Sequence, residues 1–107
     1  MVANLADLVS AAAAARPRHP AVVTESRVTT WSEVEWQVRA VASGLVARGL
    51  PPGSRVGVLQ RNTLEFVTSY FGILRAGMVA VPLNTGYTTA ELRLMMADVD
   101  AALILAD

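Results

Sequence analysis

A chain of 107 residues that is 53% hydrophobic and only 17% charged can bury a single core, and it is rich in apolar surface for a free-standing unit of that size. Nine basic residues, all arginine, balance nine acidic ones, so net charge gives no reason to expect nucleic acid or an anionic membrane as a partner. The lack of cysteine and lysine excludes disulfides, thiol nucleophiles, cysteine-based zinc sites and any chemistry that needs a lysine amine.

Asn4 to Ala15 reads as a first helix, with Asn4 as cap, Asp7 in the first turn and Leu5, Leu8, Val9 and Ala12 as one apolar stripe. Arg16-Pro17 ends it, because the residue before proline disfavours helical backbone. Ala21 to Thr24 and Arg27 to Thr30 are short strands around a two-residue turn, Glu25-Ser26. Thr30-Trp31-Ser32-Glu33 fits a capping box that opens a second helix, where Val34, Val38, Val41 and Leu45 recur at helical spacing until Arg48-Gly49. Arg55 to Leu59 is the next strand, with Gly57 marking close backbone approach.

Asn62-Thr63-Leu64-Glu65 repeats the cap-and-acid spacing and opens a third helix. It is apolar on two sides, through Leu64, Val67, Phe71 and Leu74 on one and Phe66, Tyr70 and Ile73 on the other. Arg75 is placed to complement its C-terminus, and Gly77 to close it in the left-handed conformation. Met78 to Val81 shows no polar alternation, which predicts a strand covered on both faces, and Pro82 is expected to stop its pairing. After Asn84-Thr85-Gly86-Tyr87, Thr88-Thr89-Ala90-Glu91 caps a fourth helix carrying Leu92, Met95, Met96 and Val99. Asp98-Val99-Asp100 is its polar exit, and Ala101 to Ala106 is a last strand. The order predicts an α/β fold: a hairpin followed by three parallel strands, with helices on the sheet's faces.

Several motifs fail. Gly44 to Gly49 matches the start of a phosphate loop, but Leu50 and Pro51 stand where lysine and a hydroxyl are required, and the segment ends a helix. No Gly-x-Gly-x-x-Gly follows a strand. His19, the one histidine, sits in a polar linker without a spaced acid and nucleophile. Met95 and Met96 read as core filler, Trp31 and Trp36 as core or half-buried packing, and Asp98 and Asp100 as a solvated exit before a metal pair. A phosphate-receiver domain has similar layering but needs a lysine, which is absent. No apolar run approaches the ~18 residues needed to span a bilayer, and no cationic segment precedes an apolar signal core. The expectation is a soluble, cytoplasmic protein.

The string of signals resembles one family. Thr30-Trp31-Ser32-Glu33-Val34 is similar to the Thr-Tyr-x-Glu-Leu segment of adenylate-forming enzymes, and Gly53-Ser54-Arg55-Val56-Gly57-Val58 to their Gly-Asp-Arg-Val, with Ser54 replacing the acid. Asn62-Thr63-Leu64-Glu65-Phe66 resembles their Asn-Ser-x-Glu-Phe. Gly77 to Asn84 resembles Gly-Ala-Val-x-Val-Pro-x-Asn, and Glu91-Leu92 falls where the family has Glu-Leu. Within the family, the chain most resembles bacterial fatty acyl-CoA synthetases and fatty acyl-AMP ligases.

The resemblance implies that residues 1–107 are a single incomplete N-terminal subdomain. It would be a partial three-layer parallel-sheet region of the large domain, without the phosphate loop and the C-terminal lid domain. The full-length enzyme would use ATP, magnesium and coenzyme A to adenylate a fatty acid and pass it to a thiol. The 107 residues alone would be inactive scaffolding, with no catalytic residue, metal or cofactor of their own.

Asn84, Thr85, Gly86 and Tyr87 follow a parallel strand, where α/β sheets place binding loops, and form the candidate ligand-entrance loop. Many coenzyme A-using relatives resemble one another in an arginine at the Gly86 position, so the glycine weakens phosphate contact here, and a connecting turn is the competing reading. Exposed apolar faces imply a partner, either the remainder of the enzyme or another copy of the chain. The rival class is a non-catalytic interaction module.

Overall fold

The computed structural model describes residues 5–61 and 63–106. Asn4 and Asn62, both expected as helix caps, and the terminal Asp107 lie outside the described residues. The elements are α1 (Asp7–Ala15), β1 (Pro20–Val23), β2 (Val28–Thr30), α2 (Trp31–Ala47), β3 (Arg55–Leu59), α3 (Leu64–Arg75), β4 (Val79–Pro82), α4 (Thr89–Val99) and β5 (Leu103–Ala106). β1 and β2 form an antiparallel hairpin. β4, β3 and β5 form a parallel sheet in that order, with β3 central.

Two expected capping boxes are present. At α2 the Glu33 N–H donates to Thr30 Oγ1 (3.3 Å) and the Thr30 N–H to Glu33 Oε1 (3.1 Å). At α4 the Thr88–Glu91 pair repeats this at 3.2 and 2.9 Å. Those bonds, the backbone one first, hold the Glu33 and Glu91 carboxyls below the usual range. α3 differs: Thr63 is its N-cap but makes no side-chain cap bond, and its hydroxyl donates to the Arg61 carbonyl at 3.3 Å. Gly77 closes α3 at φ 76° and Gly49 follows α2 at φ 79°, both in the region that only glycine adopts without cost.

The core lies between the α2–α3 pair and one face of the sheet. Leu45, Val56, Val58, Ile73 and Met78 form its main cluster, and Val9, Val34, Val38 and Leu64 a second one under α1. Val34, Val38, Val56, Val58 and Ile73 are fully buried, each contributing about 1.5–3 kcal/mol of burial. Gly57 shows why β3 takes a glycine, since a Cβ there would lie 3.0 Å from Leu83 Cδ1 and 3.3 Å from Ile104 Cγ1.

Several expectations are corrected. Of the stripe expected on α1, Val9 is buried and Ala12 half-buried, while Leu5 and Leu8 are exposed and the N-cap Ala6 is buried in their place. On α3 the deepest face is the small one, Thr68, Ser69 and Gly72 with Leu64 and Ile73, because α2 approaches too closely for large side chains. Arg75 is the basic residue in the last turn of α3, as expected, and its side chain in addition forks onto Glu35.

β4 is an edge strand with Val79 47% exposed, so among the described residues it is not covered on both faces. Nor does Pro82 end the pairing. It stands opposite Val58, and the Leu83 N–H still reaches the Val58 carbonyl at 2.9 Å, because the missing proline donor would have faced the open edge. Trp36 is 73% exposed, not half-buried as expected; Trp31 does pack against the second cluster.

The α4 exit carries strain that no glycine relieves. Asp100 adopts φ 51°, ψ 50° at the C-cap, a left-handed conformation that costs most residues roughly 1 kcal/mol. Asp100→Gly is therefore expected to stabilise the chain by about 0.5–1 kcal/mol, read as a higher urea midpoint with an unchanged slope.

Candidate functional site

The candidate loop begins where β4 leaves the sheet. Leu83 is buried and bonded to β3, which anchors one end. Asn84 then folds the chain back on itself: its Oδ1 accepts the Gly86 N–H at 2.8 Å and its carbonyl accepts the Tyr87 N–H at 3.1 Å. This is a side-chain-closed turn of the kind asparagine favours, and it delivers the chain to the Thr88 cap of α4. Asn84, Thr85 and Gly86 are exposed and Tyr87 is half-buried. The turn reading thus has a specific bond set behind it. A Cβ at Gly86 would meet Asn84 Oδ1 at 3.2 Å, so a side chain at this position presses on the bond that closes the turn.

A feature that sequence reasoning missed lies on the other side of β3. Gln60 follows β3 at its carboxyl end, and its Oε1 is buried without a hydrogen-bond partner among the described residues. It lines a concavity of about 430 Å³ with Gly44, Leu45 and Arg48 of the α2 end, Ser69 of α3, and Ile104 to Ala106 of β5. Residues 84–87 do not line it, and the strand order β4-β3-β5 sets the two features on opposite flanks of the central strand. The carboxyl ends of parallel strands are the usual place for a ligand. An unpaired glutamine acceptor cannot be read from sequence, because it depends on what surrounds it.

The other candidate residues stay apart. His19 lies in the exposed segment between α1 and β1, and Met95 and Met96 are half-buried on α4. Among the described residues no three His, Asp or Glu side chains converge as metal ligands. With no lysine in the sequence either, these residues do not fit a magnesium nucleotide. No helix among the described residues is long and apolar enough to cross a membrane.

Comparison with known proteins places this geometry among relatives. The family described as AMP-binding enzyme matches residues 9–107. The chain is 38% identical to a long-chain-fatty-acid–CoA ligase of Salmonella typhimurium over 103 residues, covering 95% of this chain and 18% of that protein. It is 35% identical to the long-chain-fatty-acid–CoA ligase of Haemophilus influenzae, again over 95% of this chain and 18% of that protein. Among solved structures, a Mycobacterium tuberculosis fatty acyl CoA synthetase superposes with a TM-score of 0.90 at 28% identity, over 96% of this chain and 21% of that one. The chain thus spans about a fifth of the length of the ligases it matches.

Proposed function

The chain belongs to the AMP-binding enzyme family, and we propose that residues 1–107 are a single incomplete N-terminal subdomain of an ATP-dependent fatty acid–CoA ligase. In that reading the whole enzyme joins a fatty acid to AMP with ATP and magnesium, then transfers the acyl group to coenzyme A. This part contributes scaffolding: it holds one sheet of the large domain and shapes an entrance for the acyl or pantetheine chain. The loop Asn84–Tyr87 is proposed as part of that entrance, with its turn-forming bonds as the primary role.

The observation that carries the reading is α4. It is well capped at its start, yet it buries no residue and leaves Leu94 70% exposed. A helix with strong local signals, only a half-buried inner face and an exposed leucine on the other is built to be packed by something else. Exposed Trp36 and Val46 on α2, and the uncovered face of β4, fit the same account. The remainder of the enzyme is the proposed cover, and similarity over nearly the whole chain to ligases about five times longer supports it.

Pyrophosphate release tests the inactivity. With ATP, magnesium and a panel of fatty acids, the 107-residue chain is expected to stay at background; release above background would overturn the scaffolding role. The same exposed faces support the second reading, a module that pairs with itself. Sedimentation across a concentration series separates the two, because a dimer that persists at low micromolar concentration would favour self-association over a missing intramolecular cover.

A further inference from the structure

We propose that the open edge of β5 and the concavity beside Gln60 together seat an extended strand from the part of the ligase that follows residue 107, with Gln60 Oε1 accepting a hydrogen bond from it. This contact rests on the ligase reading and is how the remainder of the enzyme would close this flank. The backbone decides which groups are on offer. The Ala102 N–H donates to the Arg55 carbonyl at 2.8 Å, and β5 runs in regular register along β3. Backbone groups alternate sides along a strand. Those of Ile104 and Ala106 therefore also face β3, while the N–H and C=O of Leu103 and Leu105 point to the open edge.

The two edges of the sheet are not alike. At β4 the open edge carries Pro82, which has no donor to offer. From Leu103 to Ala106 there is no charge, proline or bulge, the devices by which proteins keep an edge from pairing. An apolar edge without them is receptive to an added strand.

The concavity supplies what the edge alone lacks, a place for side chains. Leu105 packs against the main core cluster and lines the concavity with Val41 and Gly44 of α2. Arg48 is the one charged residue on its wall. A strand laid on β5 would turn every second side chain into this space. Gln60, whose Oε1 has no partner among the described residues, lines the same space. A buried acceptor is costly until something satisfies it, so one of the incoming side chains is expected to carry a donor. The chain itself names the occupant. Ala106, the last described residue, stands on the wall, and the matched ligases are about five times longer. A longer chain thus leaves the sheet beside the space to be filled, and a right-handed crossover returns it parallel to β5.

Amide hydrogen exchange and binding in trans test the contact. In the whole gene product, exchange at Leu103 and Leu105 is expected to be roughly a hundredfold or more slower than in the 107-residue chain, where the β3-facing Ile104 is the protected one of the three. The polypeptide encoded after residue 107, made separately, is expected to bind the 107-residue chain. Gln60→Leu should weaken that binding roughly tenfold while raising the urea midpoint of the 107-residue chain alone, a pair of opposite signs that a merely structural glutamine would not give. Leu105→Pro should weaken binding by a similar factor with the β3 ladder intact, because the donor it removes faces away from β3. Should that variant unfold by circular dichroism, or the separate polypeptide not stay in solution, exchange in the whole gene product decides alone. Binding unchanged in both variants, or Leu103 and Leu105 exchanging equally fast in the two proteins, would overturn the contact and leave the ligase reading standing. A gene product that stops at residue 107 would overturn both. Protection of the two amides in the 107-residue chain that rises with its concentration would give the edge to a second copy, and so overturn the occupant named here.

Discussion

Gly72→Ala is expected to lower the unfolding free energy by about 3 kcal/mol, although alanine is the better helix former by roughly 1 kcal/mol. The reason is the α2–α3 crossing. A Cβ at Gly72 would lie 2.5 Å from both Cβ and Cγ1 of Val41 and 3.3 Å from the Val38 carbonyl. Real atoms do not sit at that separation, so the helices must part, and the clusters flanked by Val38, Leu45 and Ile73 lose their close packing.

Gly44 is the internal control. It lies in the same pair of helices, a Cβ there meets nothing within 4 Å, and Gly44→Ala should stabilise by about 0.5–1 kcal/mol. The same chemical change thus has opposite signs at two helical glycines. Urea unfolding with equal slopes reads both. Rescue is graded: Val41→Ala removes Cγ1 but leaves the Cβ in place, so only Val41→Gly is expected to recover most of what Gly72→Ala loses. A destabilisation under about 1 kcal/mol at Gly72 would mean that the helices are not held at this distance.

Much of the fold was legible because its signals are local. The capping boxes at Thr30 and Thr88, the glycine stop at Gly77 and the apolar run of β3 depend on residues a few positions apart, and the structure has each of them. The resemblance to adenylate-forming enzymes was legible for the same reason, since it rests on short words in order. What failed depends on distant neighbours. A run such as Met78 to Val81 states that cover is wanted, not that these 107 residues supply it, and β4 turned out to be an edge. Leu5 and Leu8 looked like the buried face of α1, but which side of a short alanine-rich helix turns inward is set by α2. Gly72 gave no signal as a crossing point, because its partner Val41 is 31 positions away by residue number. At the candidate loop, the Asn84 turn was readable from residue type, whereas the unpaired Gln60 acceptor was not.

Glu35 is the clearest case of a long-range partnership that pattern reading cannot find, and its loss is expected to cost about 2–3 kcal/mol. Its side chain is 10% exposed. Arg75 holds it bidentately, Nη1 to Oε2 at 2.7 Å and Nη2 to Oε1 at 2.8 Å, and Arg39 Nε reaches Oε2 at 2.6 Å. Arg75 Nη2 also donates to the Ala6 carbonyl at 3.4 Å, so one carboxylate ties α2 to α3 and, through Arg75, to the start of α1. Glu35→Gln leaves the half-buried Arg75 guanidinium without its counter-charge, which costs more than the bond itself was worth. Replacing both partners, as in Glu35→Leu/Arg75→Met, should recover at least half of that loss, because no charge is then stranded.

The pH dependence gives a second readout. The Arg75 hydrogen bonds, opposed by burial and helped by Arg39, hold the Glu35 carboxyl below its ordinary value. The native state then binds fewer protons than the unfolded chain near that value. The Glu35 contribution to stability is complete above the unfolded-state pKa of ~4.3 and is lost as pH falls through the lower native one. Glu33, Glu65 and Glu91 shift in the same direction, so the parent chain should weaken in acid through several groups. Glu35→Gln should remove one share of that slope below the ordinary glutamate range while leaving the neutral-pH loss in full. An acid limb identical to that of the parent chain would show that Glu35 is not held ionised by Arg75, and the three-helix tie would fall with it.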